Sequence, residues 1–115
     1  MRQTLPSEQL SESARQSIEN FHNDVVDKVK AAVKANQIVV VGMAQNPFVK
    51  KARTILTERK MDFQYLEFGS YFSMWKQRLA IKIWSGWPTF PQVFVGGRLV
   101  GGFKELNEYL NKQSN

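Results

Sequence analysis

The sequence predicts an α/β domain in which helices flank a four-stranded mixed sheet, with an extra helix at the N-terminus. Three observations predict it. Two strand-like runs, 37–42 and 62–67, are separated by a helix-like stretch, the arrangement of a parallel βαβ unit. Two further runs, 92–95 and 98–100, close around Gly96-Gly97, a two-residue turn signal that makes them an antiparallel hairpin. The full order reads α, β, α, β, α, β, β, α, with no internal repeat and no low-complexity segment.

Each element has its own reason. Residues 7–35 read as helix, with Ser7, Ser11 and Ser13 as candidate N-caps and apolar residues at Ile18, Phe21, Val25, Val29 and Val33, spaced three or four apart. Glu19, Asp24, Asp27, Lys30 and Lys34 fall on the opposite side, and Ala35-Asn36 marks the end. The β-branched run Ile38-Val39-Val40-Val41 suits a strand buried on both faces. After the loop 43–46, Pro47 fits the first turn of a helix, where its missing N–H is no loss. That helix continues to Arg59 with Phe48, Ala52, Ile55 and Leu56 on one face. Residues 62–67 alternate as a strand. Residues 70–84 read as helix, with Tyr71, Trp75, Leu79 and Ile83 at near-fourfold spacing as its apolar face. A stiff loop with two prolines, 86–91, precedes the hairpin. Residues 103–112 form the last helix, and the ends Met1–Pro6 and Gln113–Asn115 are expected to fray.

Composition bounds the function. A chain of 115 residues suits one domain, divided here into an N-terminal helical extension, 1–36, and the main domain, 37–112. No run is long enough to span a membrane, and the polar N-terminus lacks a signal-peptide pattern, so a cytoplasmic setting without a membrane partner is expected. There is no cysteine, which removes disulfides, thiolate nucleophiles and thiolate-held metals or clusters together. The single histidine, His22, suggests no site. No metal site is expected. The net charge is +6; residues 1–45 balance at five basic and five acidic, so the excess lies in 46–115. That excess leaves nucleic acid as an alternative partner, but the basic residues are dispersed and no binding motif accompanies them.

Three stretches resemble glutaredoxins: Asn46-Pro47-Phe48-Val49 opening a basic helix, Trp87-Pro88-Thr89-Phe90-Pro91-Gln92, and Gly97-Arg98-Leu99-Val100-Gly101-Gly102. The second is close to the monothiol version. The resemblance implies the thioredoxin-like fold from about Ile38 to Leu110 and leaves the first helix outside it. It places Asn46 and Val49 where the family carries its cysteines, so thiol–disulfide exchange and cluster ligation have no residue to perform them.

By the same resemblance, Pro91 is cis, and Thr89, Phe90 and Pro91 form the edge that pairs with glutathione. Arg78 stands where a glutathione carboxylate is bound, and Gly101-Gly102 where backbone N–H groups meet the other. The chain departs from the family pattern at Met43 and at Lys104, which replaces an aspartate and reverses its charge; Lys50, Lys51 or Arg53 are candidates to compensate for a lost lysine. Plainer roles stand beside these: Asn46 as an N-cap rather than an amide donor to ligand, Arg78 as a surface arginine, and Trp75, Trp84 and Trp87 as core or groove wall. Tyr71, Phe72, Trp75 and Trp84 form an alternative aromatic interaction patch.

The function expected is therefore that of a glutaredoxin-related protein without redox-active cysteines. It binds a glutathione-like, small anionic peptide ligand or a protein partner, as monomer or homodimer. The alternative is a glutathione-dependent enzyme in which the bound ligand supplies the thiol.

Overall fold

The computed structural model describes residues 22–113. The expected caps Ser7, Ser11 and Ser13, the positions Ile18 and Phe21, and the ends Met1–Pro6 and 114–115 lie outside the described residues. The elements are α1 (Asn23–Ala35), β1 (Ile38–Gly42), α2 (Pro47–Glu58), β2 (Gln64–Glu67), α3 (Trp75–Ser85), β3 (Gln92–Val95), β4 (Arg98–Gly101) and α4 (Phe103–Gln113).

The sheet order is β2-β1-β3-β4. β1 runs parallel to β2, with Val40 opposite Tyr65, and antiparallel to β3, with Val40 opposite Val93. The βαβ unit and the hairpin therefore share the central β-branched strand, all five residues of which are buried. Gly96 and Gly97 both take positive φ, 59° and 83°, as the tight turn between β3 and β4 requires.

Alternation along β1 sends side chains into two apolar layers. Val39 and Val41 meet Val25 and Val29 of α1, Ile81 of α3, Leu66 and Phe94. Ile38 and Val40 meet Ala52 and Leu56 of α2 and Leu106 and Leu110 of α4. The described part of the N-terminal extension is thus built into one face of the core.

Two expectations need correction, both in α3. The helix begins at Trp75, not at residue 70. Ser73 Oγ accepts from the Ser70 N–H at 3.1 Å, and Ser70 Oγ accepts from the Phe72 N–H at 3.2 Å. Those short-range bonds close a separate turn, which Met74 leaves with φ 57°. The second correction is the packing face. Trp75, Leu79 and Ile83 are exposed, while Arg78, Ala80 and Ile81 are buried.

Candidate functional site

A groove of about 580 Å³ opens where the start of α2, the inner edge of α3, the loop before β3 and the start of α4 converge. Asn46, Arg78, Thr89, Phe90, Pro91 and Gly102 all line it, although 56 residues separate the first from the last. Val49 and Gly101, also expected at the site, do not line it. Val49 is buried in the same apolar layer as Met43. A Cβ on Gly101 would stand 2.7 Å from Glu105 Cγ and 3.1 Å from Trp87 Cη2, and its φ is +132°, so this glycine serves close packing.

The loop that forms one wall is fixed from below. The Phe90–Pro91 peptide is cis. Gln92, wholly buried on β3, donates from Nε2 to the Trp87 carbonyl at 3.0 Å, and the Trp87 N–H donates to Ser85 Oγ at 3.0 Å. Trp87 Nε1 is sealed from solvent and has no hydrogen-bond partner among the described residues. It lies 3.7 Å from where a Cβ on Gly102 would stand.

Both helix starts that face the groove are closed by the chain's own oxygens. Asn46 Oδ1 accepts from the Phe48 N–H at 2.9 Å and the Val49 N–H at 3.1 Å, so Asn46 is the N-cap of α2. At the other wall, the Gly102 N–H donates to Glu105 Oε1 at 3.0 Å. The spacing from Gly102 to Glu105 is that of a capping box, with only its carboxylate half present. Glu105 was not singled out from the sequence, although Gly-x-x-Glu at a helix start was there to be read.

Arg78 is not a surface arginine. It is buried, and Nη1 donates to the Phe68 carbonyl at 3.0 Å and the Ser73 carbonyl at 2.6 Å. The guanidinium therefore ties the Ser70–Ser73 turn to α3, and it still borders the groove. Lys82 and Lys104 line the groove as well, Lys82 with Nζ 5.7 Å from the Phe90 ring centre. Three cationic side chains thus face one carboxylate, Glu105. Lys50, Lys51 and Arg53 do not border this groove. Lys51 sits over the Phe48 and Phe103 rings, and the Arg53 guanidinium stacks 3.9 Å from the Tyr65 ring centre.

Beside that stack, the Tyr65 hydroxyl donates to Glu67 Oε1 at 2.9 Å. Burial first, and then the Glu67 bond and charge, push the Tyr65 pKa up to about 12, against a smaller lowering by Arg53. Among the described residues, no cluster of three acidic or histidine side chains is placed to hold a metal ion, and no helix is long and apolar enough to cross a membrane.

The described site thus has cations, backbone donors and an amide, and the chain contains no thiol. Known proteins supply its context. The family model described as Glutaredoxin matches residues 38–100, from β1 into β4. A glutaredoxin-like protein of Dictyostelium discoideum is 52% identical over 102 residues, covering 85% of this chain and 83% of that protein. Glutaredoxin-C1 of Arabidopsis thaliana is 30% identical over 89 residues, covering 77% and 70%. Among solved structures, a mutated buckwheat glutaredoxin superposes with a TM-score of 0.72 at 21% identity over 83% of this chain and 86% of that one. A buckwheat glutaredoxin–glutathione complex gives 0.70 at 20% identity over the same shares. Family model and sequence relatives agree, and this cysteine-free chain belongs to the glutaredoxin family.

Proposed function

We propose that the chain is a thiol-free binding module whose groove takes up an extended, carboxylate-bearing peptide of the glutathione type and releases it unchanged. The observation that carries this reading is the groove itself: Arg78, Lys82 and Lys104 line a cleft that Asn46 also lines, an amide where a nucleophile would have to stand. Cations in a partly enclosed cleft concentrate anionic ligands, and an arginine fork matches a carboxylate. Arg78 has Nη1 engaged with backbone carbonyls, while Nη2 and Nε have no bond to the described residues. That a buckwheat glutaredoxin of this fold was crystallised with glutathione supports the ligand class. No cofactor beyond that ligand and no iron–sulfur cluster belongs to the proposal, because clusters are held by thiolates. A cytoplasmic setting goes with it.

The experiment is a titration of the labelled protein with glutathione, followed by amide NMR shifts, paired with a glutathione-dependent disulfide reduction assay. Saturable shifts at Asn46, Phe90 and Gly102 with turnover equal to the protein-free control are expected. Flat shifts at high glutathione overturn the ligand class. Turnover above the control overturns the non-catalytic reading in favour of an enzyme in which the bound peptide supplies the thiol.

A further inference from the structure

The side of α3 turned away from the core is apolar. Trp75 is 59% exposed and Leu79 39%, and Ile83 is exposed beside them. At 100° per residue these three positions form a single stripe along the helix. The turn just before the helix extends it, since Phe72 is 92% exposed and Tyr71 is exposed as well. Isolated apolar side chains on a surface need no explanation, but six within 13 residues of one segment, Met74 included, do.

The charge carried by the segment that bears this stripe has one sign. From Phe68 to Lys104 the chain carries Lys76, Arg78, Lys82, Arg98 and Lys104 and no acidic residue. Lys76 and Lys82 lie on α3 itself, each about 60° from the stripe's centre line and on opposite sides of it. The Lys76 ammonium sits 5.6 Å from the Trp75 ring centre. A second copy of the chain would bring the same basic flanks together, which disfavours self-association through this face. The occupant has to be anionic and has to accept protruding apolar groups. Phe72 is a projection from a turn rather than the wall of a groove, so it suits a deformable apolar medium better than a fitted pocket.

From these observations we infer that the outer face of α3 and the turn before it form a peripheral contact for an anionic lipid surface. Phe72, Trp75 and Leu79 enter the boundary between headgroups and acyl chains, while Lys76 and Lys82 stay among the headgroup charges. The protein would lie on the bilayer rather than cross it, consistent with the described helices. This departs from the expectation of no membrane partner. That expectation weighed spanning segments and a signal peptide, not a face that lies on a bilayer.

The test is co-sedimentation of the full chain with vesicles of phosphatidylcholine alone and of phosphatidylcholine with about a third phosphatidylserine, with tryptophan emission recorded on the same samples. Binding about tenfold tighter to the serine-containing vesicles, weakening as salt rises, is expected. A blue shift in emission should accompany it as Trp75 leaves water. The double variant Phe72→Ser, Leu79→Ser should lose about tenfold in binding, and Lys76→Glu several-fold, with circular dichroism unchanged because all three side chains face solvent. Equal, weak binding to both vesicle types overturns the inference. So does a double variant that folds and binds like the parent. Binding to soluble heparin as strong as to vesicles, without the blue shift, also overturns it and assigns the face to an acidic macromolecule.

Discussion

The Glu105 carboxylate accepts the Gly102 N–H at 3.0 Å, so the chain places its own anion at a backbone donor that the proposed ligand's carboxylate would need. Any such ligand competes with a tethered group. Glu105→Ala should therefore strengthen glutathione binding several-fold, while loss of the cap lowers stability by about 1 kcal/mol. Parallel NMR titrations and urea melts measure the two effects. An unchanged dissociation constant would show that the Gly102 N–H is not a ligand contact.

Asn46 holds the corresponding position on α2. In Asn46→Cys the Oδ1 cap is lost, at about 1 kcal/mol, and a thiol is placed at the helix start. The unsatisfied N–H groups there should pull the thiol pKa below the usual value of about 8.5 and speed its reaction with a disulfide reagent. With glutathione disulfide the variant should gain one glutathionyl adduct by mass spectrometry, which the parent cannot form.

Arg78→Ala should behave first as a folding variant. It leaves the Phe68 and Ser73 carbonyls without their donor, and each unsatisfied buried group costs about 1–3 kcal/mol. A total loss of about 3 kcal/mol in denaturant melts is expected, with Arg78→Lys recovering part of it. Ligand affinity should fall in both variants when measured well below their melting temperatures.

Tyr65 should ionise only at high pH, with a pKa of about 12. Because this value lies above that of an unfolded tyrosine, about 10, the protonated form favours the folded state. The contribution is fully present below about pH 10 and is lost as pH rises through about 12. Near-ultraviolet absorbance titration measures it. Glu67→Gln should bring the value part of the way down, because burial remains after the charge has gone.

The elements that could be read from the sequence were those whose signal is local. Ile38-Val39-Val40-Val41 is buried on both faces as its composition implies, Gly96-Gly97 turns the hairpin, and Pro47 opens α2 behind an asparagine cap. The orientation of α3 was not readable. Its sequence offers one stripe through Trp75, Leu79 and Ile83 and another through Ala80, Ile81 and Trp84, and periodicity does not say which of the two meets the sheet. The protein buries the second stripe together with a charged residue, Arg78, whose burial depends on carbonyls of a turn that only the fold brings near. Ile81→Ala should accordingly cost about 2–5 kcal/mol and Leu79→Ala well under half of that, as calorimetric melts would record. At the site, the residues named from family resemblance mostly converge on one groove. Glu105 and Lys82 were missed as groove groups because their place depends on how α3, α4 and the loop before β3 meet.

Both helix starts at the groove are occupied before any ligand arrives, one by Asn46 Oδ1 and the other by Glu105 Oε1. A ligand oxygen that binds at either end must displace a side-chain oxygen of similar strength, so one hydrogen bond is exchanged for another. The heat of association should then be small. Selectivity among ligands would come from how well each one releases the resident oxygen to solvent, and the empty groove would be nearly as well ordered as the filled one.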